Sequence, residues 1–346
     1  MKLKILLLDI DSPWFNLPLM KISSYHKSEG DHVYLMRLKS FNYASFGKPT
    51  NLEIKSPLMK FDKVYISCIF TRNRQKALSI SKMFEMLGME VEIGGSGISL
   101  EKKLPDEIEH QMPDYSLYNL DFSIGFLTRG CIRNCPWCIV PKKEGKIKLH
   151  SPLDEFLFPR HRKVLLLDNN LLAYPKHKDL LLELIYRRLE VCFNQGLDIR
   201  LIDDENAKLL SLIRYRDDKF KNPRLYFSWD LLEIERQVFD GIEILKNRGV
   251  SPNKLLFYVL CGFNVRKEEY TWKYFLDHDW YRYEKLASMD VKPFIMKYNR
   301  RRDIPLLNAF ARWVNRFQKA QKKTLTKMES FKTFCEYKYK RRFWKE

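Results

Sequence analysis

No stretch of the 346-residue chain reaches about 18 uninterrupted apolar residues, the length a membrane-crossing helix needs. The opening run before Asp9 and Asp11 is too short for a signal peptide, and no small-residue cleavage site follows it. A buried first strand is expected there, in a cytoplasmic protein without a membrane partner. Cysteine is also sparse. The seven are Cys68, Cys131, Cys135, Cys138, Cys192, Cys261 and Cys335, an odd count with three inside eight residues, which argues against a secreted disulfide scaffold and for a metal site. Cys68, Cys192 and Cys261 stand singly in apolar contexts, where a free thiol packs as a small hydrophobe. Acidic residues are in deficit, 43 against 62 Lys and Arg, for a formal charge of +19. With 45% hydrophobic and 30% charged residues, the chain has the balance of a globular protein and not of a disordered one.

What is present is an alternation of strands and helices. Apolar runs at 3–9, 32–38, 64–70 and 90–93, with helical stretches at 18–25 and 74–87 and a long polar connection over 41–60, predict an open parallel α/β sheet of Rossmann type. Residues 99–120 hold Pro105 and Pro113 without a sustained period and read as a linker. The alternation restarts with strands expected at 122–127, 163–167, 190–194, 225–229, 255–260 and 292–295. Helices are expected at 177–188, 204–214, 232–247 and 268–277. Six such strands predict a partial (β/α)6 barrel of TIM type, with ligands at the carboxyl ends of its strands. The expected domains are therefore 1–98, a linker 99–120, a barrel 121–298 and a basic helical tail 299–346.

The segment 125–142, GFLTRGCIRNCPWCIVPK, carries the chemistry. Three cysteines spaced C-x3-C-x2-C after a strand and a glycine can wrap one metal centre. Structural zinc usually takes four ligands, and the nearest downstream histidine, His150, lies twelve residues beyond Cys138. Three thiolates leave one corner open, which suits a cubane cluster better than a closed structural site.

This loop, with Trp137 before its last cysteine, resembles the signature of the radical S-adenosylmethionine enzymes. The likeness extends over about 122–298 and implies a 4Fe-4S cluster held by Cys131, Cys135 and Cys138. The fourth iron would be chelated by the methionine part of S-adenosylmethionine, whose reductive cleavage gives a 5′-deoxyadenosyl radical. It also implies an electron donor such as flavodoxin or ferredoxin. Many members carry Gly-Gly-Glu after the second strand; this chain has Asp168-Asn169-Asn170, which leaves the donor to the cofactor's ammonium open. Gln195 joins these as a cofactor-binding candidate, and Asp198 and Arg200 are candidates for catalysis or substrate binding. Asp230 either reaches a ribose hydroxyl or caps the following helix, and Met296 lies near the expected adenine.

Residues 3–97 resemble the cobalamin-binding-like domain that precedes the barrel in one subgroup, with Gly94–Gly97 as its closing glycine turn. The Asp-x-His-x-x-Gly loop that offers histidine to cobalt is missing, so cobalamin is disfavoured. Methylthiotransferases usually carry three further cysteines in that domain, and only Cys68 is present. From Lys297 onward 16 Lys or Arg stand against 4 Asp or Glu, interleaved with aromatics. This predicts a nucleic-acid interface at Arg300, Arg301, Arg302, Arg312, Arg316, Lys322, Lys323, Arg341 and Arg342. The expected function is radical modification of a nucleic acid or nucleotide. The alternatives are a peptide or small-metabolite substrate, or a non-catalytic iron–sulfur protein that binds nucleic acid.

Overall fold

The computed structural model describes residues 2–38, 60–317 and 326–345; the connection expected over 41–60 lies outside them except for Lys60, as do Lys322 and Lys323. The chain divides into two compact units, residues 1–127 with 150–164, and residues 128–149 with 165–346. The stretch 99–120 belongs to the first unit and the tail to the second. Among the described residues no helix is long and apolar enough to cross a membrane.

The first unit is built on β1 (Lys4–Asp9), β2 (His32–Arg37), β3 (Lys63–Ser67) and β4 (Glu90–Gly94), a parallel sheet of order 2-1-3-4. Five consecutive buried residues in β1 follow from its central place, because both faces are covered. Leu6, Leu8, Val64 and Ile66 pack with Ala77 of helix Arg74–Met86 on one face. Ile5, Leu7 and Tyr65 pack with Leu19 and Ile22 of helix Leu17–Ser28 on the other. That second helix starts where Asn16 Oδ1 accepts from the Leu19 N–H. The short strand β5 (Ser123–Gly125) also belongs here. Its Gly125 has no room for a side chain, since a Cβ would lie 2.4 Å from the Phe156 ring, and the Tyr115 hydroxyl donates to the Phe156 carbonyl.

At the carboxyl end of this sheet the chain satisfies its own polar groups. Asp11 accepts from the N–H groups of Ile69 (2.7 Å) and Phe70 (3.0 Å) and from Asn73 Nδ2 (2.8 Å). Asn16 Nδ2 donates to the hydroxyls of Ser12 and Ser67, each at 2.8 Å, and Asp9 accepts from Ser12 N–H and the Tyr118 hydroxyl. Gly95, at φ +98°, is required here: a Cβ would stand 2.3 Å from the Cys68 carbonyl oxygen.

The second unit opens with an antiparallel pair, β6 (Thr128–Arg129) and β7 (Lys148–Leu149), which frames the cysteine loop. Next come β8 (Lys163–Leu166), β9 (Glu190–Phe193) and β10 (Arg214–Tyr215) in order 10-9-8, then β11 (Leu225–Ser228), β12 (Leu255–Cys261) and β13 (Lys292–Lys297) in order 11-12-13. Burial alternates strictly along β12. Its inward-packed face stacks Phe257 on Phe227 at 5.4 Å, and its opposite face lines Tyr258 up between Tyr226 and Phe294, each at 5.9 Å.

The single helix expected over 268–277 is instead a short turn Trp272–Tyr274, a π-helical turn Phe275–Trp280 and a helix Tyr281–Ser288. The wide turn puts Phe275, Asp279 and Trp280 on the buried side together. Arg282, 4% exposed, then donates to Asp279 (2.7 Å) and to the carbonyls of Trp229, Asp230 and Leu260 at 2.8–2.9 Å. One guanidinium thereby ties the carboxyl ends of β11 and β12 to the following helix. The tail helices Pro305–Arg312 and Lys327–Tyr339 bring Phe310 and Phe331 into a ring cluster with Phe275, Trp280 and Trp313.

Arg282→Met leaves the buried Asp279 carboxylate without its cation and should cost roughly 3–5 kcal/mol in urea unfolding. Arg282→Met with Asp279→Leu should recover a large part of that loss.

Candidate cluster-binding site

Gly130 starts the site. Its φ of +89° and a hypothetical Cβ only 2.3 Å from the Lys146 carbonyl oxygen leave glycine as the residue that fits. The close approach lets Cys131 N–H donate to Gly145 O at 3.2 Å, closing the loop on itself, while Cys138 N–H donates to Cys135 O at 2.9 Å. All three thiols are half-buried. Cys131 Sγ accepts from Arg133 N–H and from Asn170 Nδ2, both at 3.3 Å. Among the described residues no three His, Cys, Asp or Glu side chains converge on one metal ion. A mononuclear zinc site would need ligands within about 2.0–2.3 Å of a single centre. Both N–H donors are aimed at the Cys131 sulfur, the kind of bond that tunes a thiolate ligand. His150 is engaged elsewhere, 3.1 Å from Glu109.

The ends of β8 and β9 supply the surroundings. Asp168 accepts from Thr128 N–H (2.5 Å) and its hydroxyl (2.7 Å), so it anchors the strand leading into the loop. Asn169 Oδ1 accepts from Gly130 N–H at 3.3 Å. Asn170 donates to Cys131 and, at 3.4 Å, to Asp198, while its Oδ1 is buried without a hydrogen-bond partner. Asp198 accepts from Arg133 Nε (2.9 Å) and from Arg200 Nε (2.6 Å) and Nη2 (3.0 Å). Burial pushes the Asp198 carboxyl up, but the two guanidiniums outweigh it and hold it below the usual carboxylate range. Burial raises the Cys135 thiol, and Arg200 pulls it partly back. Asp230, at the end of β11, is raised by burial against the opposing pull of Arg282 and a hydrogen bond from Ser228.

The structure therefore brings Cys131, Asn170, Asp198 and Arg200 into one hydrogen-bonded group, with Asp168 and Asn169 behind it. Gln195 stands exposed on the turn after β9, and Met296 is 45% exposed on β13. Trp137 packs edge-on against Phe263, centroids 5.0 Å apart, and Phe263 in turn against Tyr298 at 5.0 Å. Sequence reasoning passed over Arg133, Phe263 and Arg282. Arg133 is visible only as a spacer residue of the cysteine motif, and Arg282 sits in an ordinary amphipathic helix.

No family model matches this chain, and no curated protein is similar to it in sequence. Solved structures do match. The chain is similar to a radical S-adenosylmethionine methyltransferase, TsrM, from Kitasatospora setae with cobalamin and a 4Fe-4S cluster bound, at TM-score 0.59 and 13% identity over 86% of this chain and 75% of that one. It is also similar to the same enzyme with tryptophan substrate and an S-adenosylmethionine analogue bound, at TM-score 0.57 and 12% identity over 84% and 72%. Those structures share the fold of this chain, a Rossmann-like parallel α/β sheet followed by a partial barrel, the fold class the sequence predicts.

The expectation of a nucleic-acid substrate is corrected by this comparison, because the matching fold is seen with a small amino acid as substrate. The tail itself explains the misreading. Its aromatics Trp313, Phe331 and Phe343 are buried core. Arg301 donates to the carbonyls of Gly262 (3.0 Å) and Val265 (2.7 Å) and pairs with Asp303. Arg342 pairs with Glu336 at 2.7 Å, and Arg341 lies over the Phe343 ring. Arg300, Arg302, Arg312 and Arg316 are exposed, distributed over a loop and one face of a packed helix and its continuation.

Gly130→Ala should force the loop open at Lys146. The cysteine thiols of the metal-free protein should then react faster with a thiol reagent than in the parent, with little change in far-UV circular dichroism.

Proposed function

We propose that this chain is a radical S-adenosylmethionine enzyme that acts on a small metabolite, with methyl transfer as the reaction class. The observation that carries it is the pinned three-cysteine loop whose first sulfur accepts two N–H bonds. Cys131, Cys135 and Cys138 would hold a 4Fe-4S cluster, and an external one-electron carrier such as flavodoxin or ferredoxin would reduce it. When bound, such a cluster supplies single electrons and an open iron to the amino and carboxylate groups of S-adenosylmethionine. Asn170 is the residue best placed to serve both, through its amide N–H on sulfur and its unpartnered Oδ1 as acceptor for an ammonium. Arg200 and Arg133, fixed by Asp198, keep positive charge beside the thiols, which favours a carboxylate nearby.

Likeness in fold to a structure that holds cobalamin supports that cofactor more strongly than the missing histidine motif suggests. The residues of the first unit do not themselves argue for it. The segment Asp9–Asn16 contains no histidine, and its Asp and Asn side chains are satisfied internally.

Iron-replete protein given S-adenosylmethionine and a strong reductant should form 5′-deoxyadenosine or S-adenosylhomocysteine, and alanine at any of the three cysteines should abolish both; an iron-loaded parent that yields neither overturns the reading. Asn170→Ala should still assemble a cluster but lower its reduction potential, since a hydrogen bond to sulfur favours the reduced form; redox titration checks this. Cobalamin added to the protein should show no histidine-nitrogen coupling in its Co(II) electron paramagnetic resonance spectrum.

A further inference from the structure

The carboxyl ends of β12 and β13 hold a second constellation that the cluster site does not use. Asn264, Val265, Arg266, Glu269, Tyr298, Asn299 and Arg301 line a pocket of about 560 Å³, within the range of small-molecule sites. Its rim is strained. Asn264 (φ +50°), Asn299 (φ +42°), Arg300 (φ +64°) and Arg301 (φ +27°) all lie in the left-handed region without being glycine. Such conformations are unfavourable and persist only where the surroundings dictate them. Here Arg301 dictates them, its guanidinium bonded to the carbonyls of Gly262 and Val265 and to Asp303. Arg301 is therefore a wall of the pocket, with its hydrogen-bonding capacity committed.

The other two charges, Arg266 and Glu269, are bonded to each other, Glu269 accepting from the Arg266 backbone N–H at 2.9 Å and from its Nε at 2.7 Å. They pair with each other at 2.5 Å (Nη2 to Oε1), and their side chains are 81% and 45% exposed. An ion pair this open contributes little, so a ligand can replace it at small cost. A simple anion would satisfy Arg266 and strand Glu269, and a simple cation would do the reverse. A molecule with an ammonium and a carboxylate a few bonds apart satisfies both. Asn264 and Asn299 add neutral amides on either side, and Val265 and Tyr298 offer an apolar flank for a side chain. A line of ring contacts joins this pocket to the cysteine loop, since Tyr298 packs on Phe263 and Phe263 on Trp137.

We propose that this pocket seats the substrate as a free α-amino acid, its carboxylate on Arg266, its ammonium on Glu269 and its side chain along Tyr298. The inference deepens the small-metabolite reading above and rests on it for the chemistry, while its test needs neither iron nor turnover.

Full-length metal-free protein should be titrated by calorimetry and saturation-transfer NMR with L-tryptophan, L-phenylalanine, L-leucine and L-lysine, and with the N-acetyl and carboxamide forms of whichever binds. At least one free amino acid should bind, and capping either end should weaken it by about tenfold or more, the loss expected for one charge-assisted hydrogen bond. Glu269→Gln should weaken the free amino acid and narrow the gap to its N-acetyl form; Arg266→Gln should do the same for the carboxamide. Both positions are exposed, so an unchanged melting temperature should accompany each loss. Absence of binding by all four at millimolar concentration overturns the proposal, as do capped forms that bind as well as the free ones. Failure of S-adenosylmethionine turnover with amino-acid binding intact would instead count against the cluster reading alone.

Discussion

The candidate centre depends on one chain of hydrogen bonds, from Arg200 and Arg133 through Asp198 to Asn170 and on to Cys131 Sγ. A cysteine loop by itself is a flexible segment with three reactive thiols. The ends of β8 and β9 make it a site, because Asn169 and Asn170 hold its first residues and Asp198 draws Arg133 out of the spacer and onto the sheet. The buried carboxylate stays ionised only because two guanidiniums face it, and those same guanidiniums leave net positive charge beside the sulfurs. Electrostatics and loop geometry are thus set by the same few contacts.

A second fixed point lies across β11 and β12. Parallel strands end in rows of carbonyl oxygens that need donors. In this unit Arg282 supplies three of them from the neighbouring helix, while Trp229, fully buried beside it, keeps an indole N–H without a partner. The sheet end is held by these buried side chains, and Asp230 is left at the edge with its carboxyl raised by burial. Rigid backing of this kind lets the loops in front differ in sequence while keeping a constant floor.

Much of this organisation is legible in the residues. Continuous apolar runs such as Leu6–Leu8 and Val164–Leu166 mark strands covered on both faces, and C-x3-C-x2-C admits few metal centres. What sequence could not show depends on contacts distant in the chain. The π-helical turn at Phe275–Trp280 arises because Asp279 must reach Arg282 and Tyr270 inside the core, and local periodicity carries no trace of that demand. That Asp168 gives its Oδ1 to the N–H and hydroxyl of Thr128, forty residues away, is a contact of the same distant kind. The tail misled for a related reason. Composition counts its charges and rings together, whereas folding sends the rings inward to Trp280 and Phe310 and leaves the cations outside.

The order in which the two units take up the chain has a consequence of its own. After the cysteine loop is complete, residues 150–164 return to the first unit, where the Phe156 ring fills the space over Gly125 and its carbonyl receives the Tyr115 hydroxyl. No single cut in the polypeptide can release either unit whole. A fragment carrying either unit alone therefore needs more than one break in the chain.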